Sequence, residues 1–166
     1  RAADLTWRVR LRIAAGLAKA LNYLHRGGSG ATCYHRDVKS ANVCLTAELT
    51  PQLIDCGLAK YVPDDAPAAT STGGRFGTPG YQCPLYVEDG KFDSKSEAYS
   101  LGIVLVELLV GEVQNERRSF YRVFVEDEEE LSDARDSRAG DWPMEMVAGL
   151  VEVIRACLAK YKKRYD

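Results

Sequence analysis

No apolar run in this chain is long enough to cross a bilayer. The strongest, Leu101 to Val110, is interrupted by Glu107 and suits a buried core helix. Neither sign of charge dominates. The net charge of -2, from 22 Lys and Arg against 24 Asp and Glu, gives no electrostatic case for nucleic acid. Five cysteines occur, Cys33, Cys44, Cys56, Cys83 and Cys157. Their odd number and the absence of C-x-x-C spacing disfavour zinc and disulfide scaffolds and favour reduced thiols in a cytosolic setting. No apolar leader is visible, because the chain opens with Arg1 and an amphipathic run. The glycine clusters at Gly27 to Gly30 and Gly73 to Gly77 have neither G-K-[ST] nor G-x-G-x-x-G spacing, so both read as turns rather than phosphate cradles.

What remains is an ordinary globular composition: 166 residues, 46% hydrophobic and 28% charged, enough for one domain or part of one. Residues 6 to 25 read as an amphipathic helix, with Thr6 as N-cap and Trp7, Ile13, Leu17, Leu21 and Leu24 on one face. Val43-Cys44-Leu45 and Gln52-Leu53-Ile54 read as two short strands joined by a turn. Residues 62 to 80, rich in Pro, Ala, Ser, Thr and Gly, read as a long mobile loop. Ser96 to Val110 reads as a central helix that is apolar on nearly every face. The acidic run Glu126 to Glu130 reads as a solvated segment. Pro143 starts a last helix with Met146, Leu150, Val153, Ile154 and Cys157 on its expected inner face. The fold class expected is mainly α with a small β element.

The most informative stretch is His35-Arg36-Asp37-Val38-Lys39-Ser40-Ala41-Asn42. An Asp, a Lys two residues on and an Asn five residues on can orient a hydroxyl, neutralise a transferring phosphoryl group and hold a metal. His35 reads as a packed structural histidine.

The octapeptide resembles the H-R-D-x-x-x-x-N catalytic loop of protein kinases, with Val38 at the usual Leu position. Four further segments stand in the matching order. Residues 5 to 25, with Leu5-Thr6-Trp7, Arg10 and Leu21-Asn22-Tyr23-Leu24-His25, are similar to the helix before that loop in receptor-like kinases, the branch that includes the Pelle and interleukin-receptor-associated kinases. Asp55-Cys56-Gly57 stands in place of D-F-G. Residues 77 to 86, Gly77-Thr78-Pro79-Gly80-Tyr81-Gln82-Cys83-Pro84-Leu85-Tyr86, are similar to the end of an activation segment with its A-P-E. Ser96 to Gly102 is similar to the start of the central helix.

The resemblance implies the large lobe of a serine/threonine protein kinase, spanning residues 1–166, within a longer parent that transfers the γ-phosphoryl group of ATP to protein Ser or Thr. Catalytic roles fall to Asp37, Lys39 and Asn42, contacts to Mg-ATP to Lys39, Asn42 and Asp55, and magnesium ligation to Asn42 and Asp55. Arg36 would pair with a phosphate on the activation segment, with Thr70, Ser71 and Thr72 as candidate acceptors for an upstream kinase. Thr78 would pack by Asp37 and Lys39. The expected partners are a protein substrate and that activating kinase. The expected location is cytoplasmic, or the cytoplasmic side of a membrane receptor if the parent has a spanning segment.

Four departures cut the other way. The chain has no glycine-rich loop or strand lysine, so alone it is expected to be inactive. Cys56 replaces the D-F-G phenylalanine, Leu85 the A-P-E glutamate and Glu97 an aspartate. Leu85 leaves Arg164 to find another partner, with Glu88 the nearest candidate. These departures support an alternative reading, a pseudokinase or interaction module that keeps the fold without catalysis.

Overall fold

The computed structural model describes residues 5–26, 30–63, 69–70, 74–115, 119–120, 124 and 131–159. Ser71, Thr72, the Glu126 to Glu130 run and Arg164 lie outside them. Helix α1 runs from Trp7 to Arg26. Its first turn closes with Arg10 N donating to Thr6 O at 3.0 Å. Val9, Ile13, Leu17 and Leu21 are buried at the helical spacing that the sequence suggests. Arg10 is buried with them.

Four strands follow: β1 (Ala31–Tyr34), β2 (Val43–Leu45), β3 (Pro51–Leu53) and β4 (Lys60–Pro63). They form two antiparallel pairs, β1 with β4 and β2 with β3. β3 starts at Pro51 rather than Gln52 and ends at Leu53, so Ile54 leaves the strand to turn the chain towards Asp55. Two short strands further on, β5 (Ala69–Thr70) and β6 (Lys91–Phe92), also pair, with Thr70 opposite Lys91. The described part of residues 62 to 80 is therefore not loop throughout. Between them lies a short helix, α2 (Pro84–Asp89), started by the fixed φ of Pro84 and stopped by Gly90. The sequence alone left that segment unassigned.

Helix α3 (Ser94–Val110) is the centre of the molecule. Asp93 and Ser96 cap it reciprocally. Asp93 Oδ1 accepts from Ser96 N at 2.8 Å, and Ser96 Oγ accepts from Asp93 N at 3.3 Å. Ile103, Val106 and Leu109 are fully buried. Helix α4 (Met144–Leu158) packs against α3. At Gly102 a Cβ would stand 2.8 Å from Cys157 Cβ, so only glycine permits this approach. The buried face of α4 is Val147, Leu150, Val151, Ile154 and Leu158. Met146 and Val153 are instead exposed. The buried positions recur at three and four residues, and Cys157 and Leu158 on that side close on Gly102.

The molecule is mainly helical with small two-stranded sheets. One core joins α1, α3 and α4, and no described helix is long and apolar enough to cross a membrane.

Candidate functional site

The loop between β1 and β2 is held from below by two side chains, His35 and Glu97, and by a backbone bond at Asn42. His35 is fully buried, and its Nε2 lies 3.0 Å from Ile54 O. That contact ties the loop to the turn that carries Asp55. Asn42, at the end of a 3-10 turn (Ser40–Asn42), continues the tie, because Ile54 N donates to Asn42 O at 2.9 Å. Glu97 on α3 reaches up from the core. Its Oε1 accepts from Arg36 N at 2.5 Å, and its Oε2 lies 2.6 Å from His25 Nε2 at the end of α1. The extra methylene relative to aspartate is thus accommodated by a contact to α1 that the sequence did not suggest.

Arg36 and Asp55 both adopt left-handed backbone, with φ of 70° and 63°. Such conformations cost about 1–3 kcal/mol each and persist where surrounding bonds over-determine them. The Glu97 carboxylate does this for Arg36. Glu97→Asp is expected to lose one of its two contacts and about 1–3 kcal/mol of stability, measured by urea unfolding. Unchanged stability would mean that the backbone follows the shorter acid.

On this frame four predicted residues converge. Asp37 Oδ2 accepts from Lys39 Nζ at 2.8 Å and from Asn42 Nδ2 at 3.2 Å. Asp37 Oδ1 accepts from Thr78 Oγ1 at 2.7 Å, and Lys39 Nζ donates to the same hydroxyl at 2.7 Å. Thr78 is distant in sequence and is brought in by the segment before α2. Burial alone would raise the Asp37 carboxyl. The hydrogen bonds from Lys39 and Thr78, the Lys39 charge and the Asn42 amide outweigh it and hold the group below its ordinary value. Asp37 is therefore an ionised acceptor at neutral pH.

Asn42 Nδ2 also donates to Asp37 O at 2.9 Å, so the amide nitrogen faces the loop and Oδ1 remains for another partner. Asp55 is exposed at the start of a 3-10 turn (Cys56–Leu58). The Asp55 carboxylate and the Asn42 carboxamide oxygen are hard donors of the kind magnesium takes, but among the described residues no hydrogen bond or ion pair joins Asp55 to the Asp37 set. Cys56 is exposed too.

Arg36 sits apart from this set. Its guanidinium lies 4.9 Å from the Phe76 ring centre and 4.6 Å from that of Phe92, and Nη2 donates to Tyr86 Oη at 3.4 Å. Phe92 belongs to the strand opposite Thr70. The aromatic surroundings of Arg36 had no signal in the sequence, since three scattered rings have no spacing to reveal them. A second missed group lies beneath. Tyr81 Oη, 3.4 Å from Ser40 Oγ, donates to buried Glu107, which also accepts from Gln114 N at 2.7 Å. Burial raises both the Tyr81 hydroxyl and the Glu107 carboxyl.

A sequence model described as "Protein kinase domain" matches residues 3–165. The chain belongs to the protein kinase domain family. It is 38% identical over 169 residues to wall-associated receptor kinase-like 10 of Arabidopsis thaliana, covering 96% of this chain and 22% of that protein. It is 43% identical over 111 residues to serine/threonine-protein kinase PBL34 of the same plant, covering 67% and 22%. Against probable serine/threonine-protein kinase PBL3, also of Arabidopsis thaliana, the identity is 44% over 110 residues, covering 66% and 25%. The chain thus spans about a fifth to a quarter of the length of these relatives. Its kinase-family resemblance, in the receptor-like branch, is shared along most of its own length.

Proposed function

We propose that this chain is the catalytic large lobe of a serine/threonine protein kinase. The observation that carries the reading is the closed set Asp37, Lys39, Asn42 and Thr78. Each contacts Asp37 or one of its partners within hydrogen-bond reach.

Mg-ATP, when bound, supplies the γ-phosphoryl group. The chain's own residues do the rest. Asp37, ionised by its neighbours, accepts a hydrogen bond from the substrate Ser or Thr hydroxyl and aligns the oxygen for in-line attack. As the new O–P bond forms and the bond to the β-phosphate oxygen breaks, the hydroxyl proton passes to Asp37 and ADP leaves. Lys39 keeps a positive charge beside the moving group. Asn42 and Asp55 would hold the metal. A phosphate on Thr70, Ser71 or Thr72 would be drawn to Arg36, and its non-bridging oxygens would compete with the rings of Phe76 and Phe92.

The test is the full-length protein with magnesium, ATP and a Ser/Thr acceptor peptide, with a Tyr peptide as control. ADP and phosphoserine or phosphothreonine are expected. Nucleotide binding without turnover would favour the second reading, a pseudokinase, for which Cys56 and Leu85 speak. The 166-residue chain alone carries no glycine-rich cover or paired strand lysine and is expected to give no turnover. The site would act on the cytoplasmic side if the full-length protein is a receptor.

A further inference from the structure

Arg75 stands three residues before Thr78, and its guanidinium reaches the end of α2. Nε donates to Val87 O at 2.9 Å and Nη2 to Glu88 O at 3.0 Å. Carbonyls in a helix's last turn lack intrahelical donors and form the negative end of its dipole, so a cation fits there. Gly90 follows with φ of 74°, and a Cβ on it would meet Arg75 Nη1 at 2.5 Å. The glycine therefore turns the chain and also clears the guanidinium.

The next residues add to the stitch. Phe76 N donates to Tyr86 Oη at 2.8 Å, and Gln82 Nε2 donates to Phe76 O at 2.9 Å. Within α2 itself, Leu85 is half-buried where an acid would supply a charged anchor.

We propose that Arg75 is a positioning residue. It anchors α2 to residues 75–78 in place of the charge that Leu85 lacks, and so keeps Thr78 against Asp37 and Lys39. Its effect on turnover rests on the kinase reading above; the anchor itself does not.

Amide hydrogen exchange in the full-length protein, followed on peptides covering 84–92 and 94–110, separates the two. Arg75→Ala is expected to speed exchange in the first about tenfold, as two lost hydrogen bonds would, and to leave the second unchanged. Arg75→Lys is expected to restore it only in part, since one ammonium cannot bridge both carbonyls in the same geometry. In a Gly90→Ala background, which already displaces the guanidinium, Arg75→Ala should add nothing. Turnover of a Ser/Thr peptide should show a lower kcat in Arg75→Ala with the KM for ATP unchanged.

Unchanged exchange at 84–92, or equal acceleration at 94–110, overturns the anchor. Faster local exchange with unaltered kcat overturns the positioning role. Faster local exchange in a protein with no kinase activity before or after substitution supports the anchor and defeats only the kinase reading.

Discussion

Asp37→Asn in the full-length protein is expected to lower kcat by about 10²–10⁴-fold, the range for removing a positioned acid–base group. The carboxylate accepts from Lys39, Asn42 and Thr78 at once. An amide of the same shape keeps one acceptor oxygen but turns an NH2 towards either Lys39 Nζ or the Thr78 hydroxyl. It cannot take the substrate proton. The KM for ATP should change little, because Asp37 is not among the proposed metal ligands. Steady-state kinetics with a Ser/Thr peptide check both numbers. Wild-type kcat in this variant would remove Asp37 from the chemistry. A collapse of ATP affinity instead would mean that the side chain serves nucleotide binding. The depressed carboxyl also sets a pH expectation. An acidic limb in kcat owed to Asp37 should lie below its ordinary 3.8, so activity near neutrality should not report this group.

The second large effect concerns stability. Asp136 is buried and joins the segment before α4 to both α1 and α3. Its Oδ2 accepts from Arg10 Nη2 on α1 at 2.6 Å, while Oδ1 accepts from Arg138 Nε at 2.7 Å and Arg138 N at 3.0 Å. Asp136 N donates to Leu109 O at the end of α3 at 2.8 Å. Arg10 in turn donates to Leu5 O and Leu108 O. Asp136→Ala would leave the Arg10 guanidinium buried without its counter-charge, and the expected loss is about 3–5 kcal/mol in urea unfolding. The two carbonyls do not replace a carboxylate.

Arg10→Met together with Asp136→Ala is expected to recover much of that loss, because two desolvated charges go at once. A double variant no better than Asp136→Ala would show that the penalty is not the stranded charge. Burial would raise the Asp136 carboxyl, but the bonds from Arg138 and Arg10 outweigh it and bring it to about 2. Since the folded value lies below the ordinary 3.8, the pair's contribution is complete above about pH 4. It is lost as pH falls through about 2. Asp136→Asn should flatten this part of the acid-unfolding curve.

Local pattern carried a good deal of this molecule. The spacing of Ile13, Leu17 and Leu21 marked α1 because a buried helix face repeats every three to four residues. The apolar run from Leu101 to Val110 marked the central helix, since a segment buried all round has no polar face to hide. Asp37, Lys39 and Asn42 were readable together because one short loop holds all three. The inner face of α4 was misjudged at Met146 and Val153. Both are apolar, but the stripe at helical spacing that packs on α3 is Val147, Leu150, Val151, Ile154 and Leu158.

From the chain order alone came the family, the loop that bears the chemistry and the mainly helical class, because these rest on neighbours within a few residues. Tertiary structure alone decided how Thr78, expected beside Asp37 from the resemblance, bridges Asp37 and Lys39, that Glu97 would reach both Arg36 and His25, that aromatic rings would flank Arg36, and that Arg75 would close the end of α2. Each of those contacts joins residues from 12 to 72 positions apart. Their meeting depends on how whole elements pack, and no local periodicity records it.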